Sequence, residues 1–594
     1  MLPPLPFTTR PEIEGIFGVV ASTHWIATAV GMSMLERGGN AFDAAAATAL
    51  TLQVVEPHLN GPGGDVPVIL YDARAEKPVV ICGQGVAPRA ATIARFRALG
   101  LDMVPGSGLL AACVPGTFET WMMLLRDFGT MRLRDVLEPA IFYAREGHPL
   151  VDREIETIAT VEDLFRKHWK TSAAVYLPGG EVPQRGTLLR NPALATTYER
   201  ILSEAESAGG NRLREIERAR ESWSHGFVAE CIDRFCRTQE AMDTSGSPHR
   251  GLLTAEDMAA WTPHAEQPIT YDYGRYTVCK AGFWSQGPVL LQQLALLKGF
   301  DLEGLDPAGP DFIHLQVECA KLSFADRDSF YGDPDFVLIP GEALLSDAYN
   351  AERRRLVGTR ASLEQRPGHI PGFGGKVHIG EASGALAAGA GEPTAGPLGE
   401  ARGDTVHFDI VDRWGNMISS TPSGGWLQSS PVIPELGFCL GTRAQMFWLD
   451  ESHPAALMPG KRPRTTLSPS LALKDGEPYL VWGTPGGDQQ DQWTCQFLLR
   501  HIHAKQNLQQ AIDAPAWHSE HFPISFWPRT ARPGVLLVEG RMPDATVKEL
   551  RRRGHIVEVG PLWSEGRLTA ASREGVRRRA AANPRGMQGY AAGR

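Results

Sequence analysis

The chain is poor in the features that would give a quick functional assignment. Its eight cysteines are scattered from Cys82 and Cys113 to Cys439 and Cys495, and none falls in the C-x2-C spacing of a zinc or thioredoxin-like site. They are expected to be free, buried thiols. No apolar run approaches the roughly 18 residues that a membrane helix needs. The N-terminus, Met1-Leu2-Pro3-Pro4-Leu5-Pro6, lacks the charged and apolar segments of a secretory leader, so the expected location is cytoplasmic. A formal charge of -9 leaves no basic footprint for nucleic acid or acidic lipid, and Arg577, Arg578 and Arg579 are expected to be solvated surface. Neither nucleic acid nor membrane is an expected partner.

Motifs of the common enzyme classes are also missing: there is no G-x-S-x-G elbow, H-E-x-x-H, Walker A sequence or strand-flanked dinucleotide fingerprint. His501 with His503, and His518 with His521, have no accompanying carboxylate-and-His set and are expected to be structural. No metal and no cofactor is expected.

What remains is mixed α/β patterning. A β-like run, Ile16 to Ala21, precedes an Ala-rich helical stretch, Gly39 to Ala47, and a turn at Asn60-Gly61-Pro62-Gly63-Gly64. From about 110 to 350 the pattern is mainly helical, as in Pro139 to Arg145 and Asp311 to Arg327. Residues 365 to 404 then become crowded with Gly, Ala and Pro, a composition from which a core is hard to build. Directly after them an alternating run, Thr405-Val406-His407-Phe408-Asp409-Ile410-Val411-Asp412, turns at Trp414-Gly415-Asn416 and resumes over Met417 to Thr421, which predicts a β-hairpin.

Three segments from this junction onward resemble the γ-glutamyltranspeptidase family: Thr405-Val406-His407-Phe408 with Val411-Asp412 and Gly415-Asn416; Lys461-Arg462-Pro463-Arg464-Thr465-Thr466-Leu467-Ser468-Pro469; and Gly483-Thr484-Pro485-Gly486-Gly487. Upstream, Gly38-Gly39-Asn40-Ala41-Phe42-Asp43-Ala44-Ala45, Val114-Pro115-Gly116-Thr117, and Phe324-Ala325-Asp326-Arg327 with Gly332-Asp333-Pro334-Asp335-Phe336 lie in the family's order. The resemblance implies an α/β fold, the four-layer αββα sandwich of N-terminal-nucleophile hydrolases. It further implies a precursor cut between Asp404 and Thr405, with residues 1–404 as large subunit and 405–594 as small subunit. The two cleaved chains would form a heterodimer and one structural unit.

These residue types suit that chemistry. A threonine hydroxyl needs a base beside it, and cleavage before Thr405 would free an α-amine whose ordinary pKa, about 7.7 to 8.0, lets it accept a proton near neutrality. The same Thr405 would attack a small-molecule amide, form an acyl-enzyme and pass the acyl group to water or an amine. Gly486 and Gly487 allow backbone N–H groups to approach an oxyanion. Thr421 and Ser423 match family positions that carry hydroxyls near the nucleophile.

The resemblance fails in the recognition residues. The family's carboxylate-binding arginine aligns with Gln84, its amine-binding aspartate with Met446, and a substrate-binding asparagine with Gly425. Its serine pair is replaced by Thr465 and Thr466, which keep the hydroxyls. A zwitterionic glutamyl head would leave buried charge unpaired in such a pocket. Arg443, Gln445 and the run Asp488-Gln489-Gln490-Asp491-Gln492 are the new polar candidates, with Arg443 able to take a carboxylate as a planar fork. Alternatively, Arg443 pairs with a nearby acid. The expected activity is hydrolysis or acyl transfer on a non-standard amide, as in cephalosporin acylases and small-amide hydrolases. Genuine γ-glutamyl hydrolysis or transfer, and an uncleaved binding protein of the same fold, stand as alternatives.

Overall fold

The computed structural model describes residues 7–380 and 405–594. Asp404 and the Gly/Ala segment Gly384 to Gly391 lie outside the described residues.

Two seven-stranded sheets are stacked face to face. The first runs Ile13–Gly15, Arg577–Ala582, Thr569–Glu574, Glu477–Gly483, Ser470–Lys474, Tyr276–Lys280, Ile269–Tyr273. The second runs Tyr590–Gly593, Val19–Ser22, Phe408–Val411, Met417–Ser420, Val66–Asp72, Lys77–Gly83, His264–Glu266. Neighbouring strands within each are antiparallel.

Strand alternation decides what each face meets. Val19, Ala21, Ile69, Tyr71 and Val80 of the second sheet pack on Cys279, Leu471, Val481, Ala571 and Ala580 of the first. Their neighbours Val20, Val68, Leu70, Phe408, Ile410 and Ile418 turn outward into a helical layer that includes Trp25–Glu36, Ala41–Val55, Thr117–Phe128 and Leu133–Glu146. On the opposite side Val278, Ala472, Leu480, Trp482 and Ala570 meet Pro288–Leu297, Pro310–Phe330 and Gln490–Ile502. The layers therefore read αββα.

The helix Ala41–Val55 is buried along its whole length, which its small alanines permit, and a capping box between Asn40 and Asp43 starts it. Its position on the second sheet's outer face orders the strands beneath it. In that sheet the hairpin strands Phe408–Val411 and Met417–Ser420 lie between Val19–Ser22 and Val66–Asp72, so chain from both sides of Thr405 is interleaved.

Three expectations need correction. The first inner strand begins at Val19, and Ile16 is exposed outside it. The supposedly helical middle supplies His264–Glu266, Ile269–Tyr273 and Tyr276–Lys280; their aromatic and β-branched residues around Gly274 carried a hairpin signal that the surrounding helical pattern obscured. Arg578 is buried, donating to the Asp412 and Arg413 carbonyls, because strand alternation turns it inward while Arg577 stays exposed. All eight cysteines are free, seven of them buried. No helix among the described residues is long and apolar enough to cross a membrane.

Candidate active site

The alternation that makes the hairpin amphipathic also builds the site. Val406, Phe408 and Ile410 enter the helix-side core, so Thr405, His407 and Asp409 face the other sheet. Opposite them stand Ser423, Thr421 and Ser419, through the Thr405–Ser423 bridge and the registered Asp409–Ser419 pair. Thr405 Oγ1 lies 3.1 Å from Ser423 Oγ. One step along, His407 Nδ1 lies 2.8 Å from Thr421 Oγ1, and Nε2 lies 3.1 Å from Asp409 Oδ2. Thr569, from the first sheet, donates to the same Asp409 oxygen at 2.6 Å. All of these side chains are buried, Thr405 included.

Gly486 and Gly487 follow the strand Glu477–Gly483 and precede the helix Gln490–Ile502. Gly486 has φ 108°, a backbone that favours glycine. Its carbonyl is held by Gln490 Nε2, and the Gly487 carbonyl accepts from Gln490 N at 3.2 Å. Neither glycine N–H donates to a described residue. Buried N–H groups are nearly always paired; two unpaired ones at the positive end of a 13-residue helix suit a developing oxyanion. A small recess opens beside Pro485, lined also by Thr23, Leu59, Arg153, Arg567 and Gln588.

The aspartates of the upstream segments hold this assembly together. Arg462 donates to Asp333 Oδ1 at 2.6 Å and to Asp335 Oδ2 at 2.8 Å, joining the Lys461–Pro469 segment to Gly332–Phe336. Arg327 bonds Asp488, directly after the two glycines, and Asp328 Oδ1 at 2.9 Å. Asp488 also accepts from Ser525 N at 2.7 Å, while Asp491 takes Ser468 Oγ at 2.7 Å and faces Lys280 at 3.2 Å. Gln492 accepts from Ser519 N at 2.7 Å. The polar run after the glycines thus largely anchors the helix start, an engagement that sequence alone does not show.

Arg443 donates from Nε and Nη2 to Asp65 Oδ1, at 3.1 and 3.0 Å, and its guanidinium carbon lies 5.7 and 5.9 Å from the ring centroids of Trp426 and Phe526. Of the two sequence readings, the structure displays pairing with an acid. Burial pushes the Asp65 carboxyl up, with Arg443 pulling against it, and Asp65 Oδ2 has no hydrogen-bond partner among the described residues. The Asp65 backbone exchanges two hydrogen bonds with Ser423, at 2.8 and 3.0 Å, placing this pair beside the Thr405–Ser423 contact. Gln445 donates to the Gly106 carbonyl at 3.2 Å and accepts from Trp527 N at 3.1 Å. Gln84 donates to its neighbour's carbonyl, at Gly85, at 3.1 Å. Thr465 Oγ1 accepts from Leu467 N at 3.3 Å, whereas the buried Thr466 Oγ1 has no partner among the described residues. Gly425 has φ 65°, and a Cβ there would meet Gly63 C and Gly64 N at 2.9 Å.

Asp65, Asp409 and Thr569 carried no motif signal. His407 and Asp409 were nevertheless legible as the polar half of an alternating strand, which is the signal that finds them. The four histidines considered for metal have protein partners: Tyr479 and the Gln506 carbonyl for His501, Tyr273 for His503, Glu565 for His518 and the Glu364 carbonyl for His521. Among the described residues two other groups each bring three possible ligands together, Cys82-His264-Glu266 and His314-Glu318-His555. Arg462 occupies the first, donating to Glu266 at 2.9 Å, and Lys321 and Arg366 take up Glu318 in the second, so both already hold cations.

Comparison with known proteins agrees with this geometry. The chain is 30% identical to the glutathione hydrolase-like YwrD proenzyme of Bacillus subtilis (strain 168), over 97% of this chain and 98% of that one. A solved structure of LmbA2991HD is 54% identical, with a TM-score of 0.93 over 99% of this chain and 100% of the other. The cephalosporin acylase from Bacillus halodurans is 28% identical, with a TM-score of 0.81 over 100% and 99% of the two chains. The family model described as gamma-glutamyltranspeptidase matches residues 27–593. The chain therefore belongs to the gamma-glutamyltranspeptidase family and is an enzyme of the N-terminal-nucleophile amide hydrolase and acyltransferase kind.

Proposed function

We propose that the protein is a precursor that cuts itself between Asp404 and Thr405, and that the new N-terminal threonine hydrolyses or transfers the acyl group of an amide that is not a classical γ-glutamyl compound. The observation that carries this reading is the buried Thr405–Ser423 contact at 3.1 Å, which sets the hydroxyl of the residue after the proposed cut against a second hydroxyl. Thr405 supplies the attacking oxygen and, once cleaved, an amine to take its proton. Ser423 orients that oxygen, and Gly486 and Gly487 receive the oxyanion. Residues 1–404 and 405–594 would remain associated as a heterodimer, since strands from both sides of the cut are neighbours in each sheet.

The recognition residues support a non-glutamyl substrate. Gln84 and Met446 carry no charge, Gly425 has no room for a side chain, and Arg443 is already matched by Asp65. A ligand with separate carboxylate and ammonium groups would find neither full counter-charge at the family's positions. The relative named a cephalosporin acylase is in keeping with an enlarged choice of acyl group.

The test is to express the full chain, separate it under denaturing conditions and sequence new N-termini, alongside Thr405→Ala. A chain beginning Thr-Val-His-Phe, absent from the variant, is expected. The processed protein should then hydrolyse simple acyl p-nitroanilides faster than γ-glutamyl-p-nitroanilide. A folded chain that stays intact favours the binding-protein alternative, and a preference for the γ-glutamyl compound favours ordinary γ-glutamyl chemistry.

A further inference from the structure

Thr405 belongs to a row of side chains that crosses the second sheet. It bridges Ser423, and Ser423 bridges Asp65 on its other side, where the two backbones exchange hydrogen bonds at 2.8 and 3.0 Å. Residues directly opposite in antiparallel strands point to the same face. Four residues along, the same register pairs Ser419 with Ile69, which packs between the sheets. The next strand pairs Val66 with Gly83, so one further step sets Gln84 opposite Asp65, on the face that Cys82 shares. Thr405, Ser423, Asp65 and Gln84 therefore follow one another at the roughly 5 Å spacing of neighbouring strands.

The end of the row away from Thr405 holds acceptors that the protein does not use. Asp65 and Gln84 are 3% and 0% exposed. Arg443 donates twice to Asp65 Oδ1 and leaves Oδ2, with its remaining nitrogen, Nη1, directed at Met446 Sδ, 4.0 Å away. Gln84 uses Nε2 on the Gly85 carbonyl at 3.1 Å, which fixes the orientation of the amide and leaves Oε1. Neither Asp65 Oδ2 nor Gln84 Oε1 has a partner among the described residues. A buried acceptor in that state is unfavourable until a donor reaches it. The local charge is already balanced, Asp65 by Arg443, and Gln84 is neutral. A carboxylate brought here would set its oxygens against two more acceptor oxygens.

We propose that Asp65 and Gln84 are specificity-determining residues of the acyl site. The acyl group they select carries an N–H donor, as a carboxamide or an ammonium, where a γ-glutamyl substrate carries its α-carboxylate. Gln84 stands at the position aligned with the family's carboxylate-binding arginine, so a donor there has been exchanged for an acceptor. The inference rests on the proposed role of Thr405 and names the acyl class that its site takes.

The experiment uses the processed full-length protein, its second chain verified by N-terminal sequencing. The substrates are four p-nitroanilides of similar length: pentanoyl, 4-carboxybutanoyl, 4-carbamoylbutanoyl and 4-aminobutanoyl, each corrected for hydrolysis without enzyme. The carbamoyl or the amino compound is expected to exceed the carboxy compound in kcat/KM by about tenfold or more, the scale of one hydrogen bond to a buried group. Which of the two leads separates a neutral amide from an ammonium. Gln84→Leu should lower the carbamoyl-to-pentanoyl ratio about tenfold, and Gln84→Arg should reverse the preference for carbamoyl over carboxy. Gln84→Glu, which keeps the shape, should raise the amino-to-pentanoyl ratio by a similar factor. Thermal melting checks that each variant is folded, and where Gln84→Leu or Gln84→Arg is not, the wild-type series and Gln84→Glu decide. A processed wild-type protein that prefers neither donor-bearing compound to the carboxy compound overturns the inference alone. Ratios that stay within twofold of wild type in folded Gln84→Leu and Gln84→Glu also overturn it. Absence of a chain beginning at Thr405, seen before any substrate is added, overturns the proposed nucleophile and this inference with it.

Discussion

Gly483 and His407 come from different sheets and are fitted to each other: a Cβ on Gly483 would lie 2.3 Å from His407 Cε1. The glycine's role is steric, since it admits a buried imidazole where the sheets would otherwise close.

Gly483→Ala is expected to displace His407, cost about 1–3 kcal/mol as an overpacked site and slow the appearance of the 405–594 chain. Urea unfolding and the fraction cut at a fixed time after synthesis measure the two effects. Normal stability and normal processing together would show that the imidazole does not need its present place.

Asp65 and Arg443 are a buried pair beside Ser423. Asp65→Asn removes the counter-charge and leaves a buried guanidinium, an unbalanced state that typically costs about 3–5 kcal/mol. The double variant Asp65→Asn, Arg443→Met should recover most of that loss in the same denaturation assay. A single variant as stable as wild type would mean that Arg443 finds another partner.

Gly425→Asn restores the side chain that the family usually carries there, and asparagine tolerates the positive φ. Space is the obstacle, because the added Cβ meets the Gly63–Gly64 backbone at 2.9 Å. The variant is expected to lose about 1–3 kcal/mol of stability without gaining hydrolysis of γ-glutamyl-p-nitroanilide. A gain in that activity would reinstate ordinary γ-glutamyl recognition.

Glu56 lies under the hairpin, accepting from Thr23 Oγ1 at 2.6 Å, and Thr23 N in turn donates to the His407 carbonyl at 3.1 Å. Burial raises its carboxyl to about 8, partly offset by the Thr23 hydrogen bond. A carboxyl raised in the folded state penalises folding as it ionises. The penalty is absent below the unfolded value near 4.5, grows as pH rises toward 8 and is constant above it. Glu56→Gln should therefore gain stability relative to wild type between pH 5 and 8, by up to roughly 1.4 kcal/mol per pH unit. Urea midpoints at pH 5.5, 7 and 8.5 measure this; a constant difference across the three would contradict the assigned titration.

The hairpin was readable because its alternation has the period of a strand, and Val406, Phe408 and Ile410 do enter the core on one side. The glycines at 486 and 487 were readable because the residue type is itself the requirement. By contrast, Ile269–Tyr273 and Tyr276–Lys280 were hidden among helices, since a short edge hairpin differs little from a loop until a sheet accepts it. Asp65 was hidden for a different reason: its partner Arg443 is 378 residues away, and nothing local marks a charge that another segment will neutralise.

The sequence by itself determined the family, the layered α/β class, the change of composition before Thr405 and the residue types able to perform amide chemistry, because these depend on local periodicity and ordered short motifs. Tertiary structure alone decided which polar groups remain available. It matched Arg443 to Asp65, committed Asp488 to Arg327 and left the Gly486 and Gly487 N–H groups without a partner among the described residues, and it aligned Thr569 and Asp409 behind His407. Burial makes each such pairing strong or costly, and partners in space are set by the stacking of the two sheets rather than by distance along the chain.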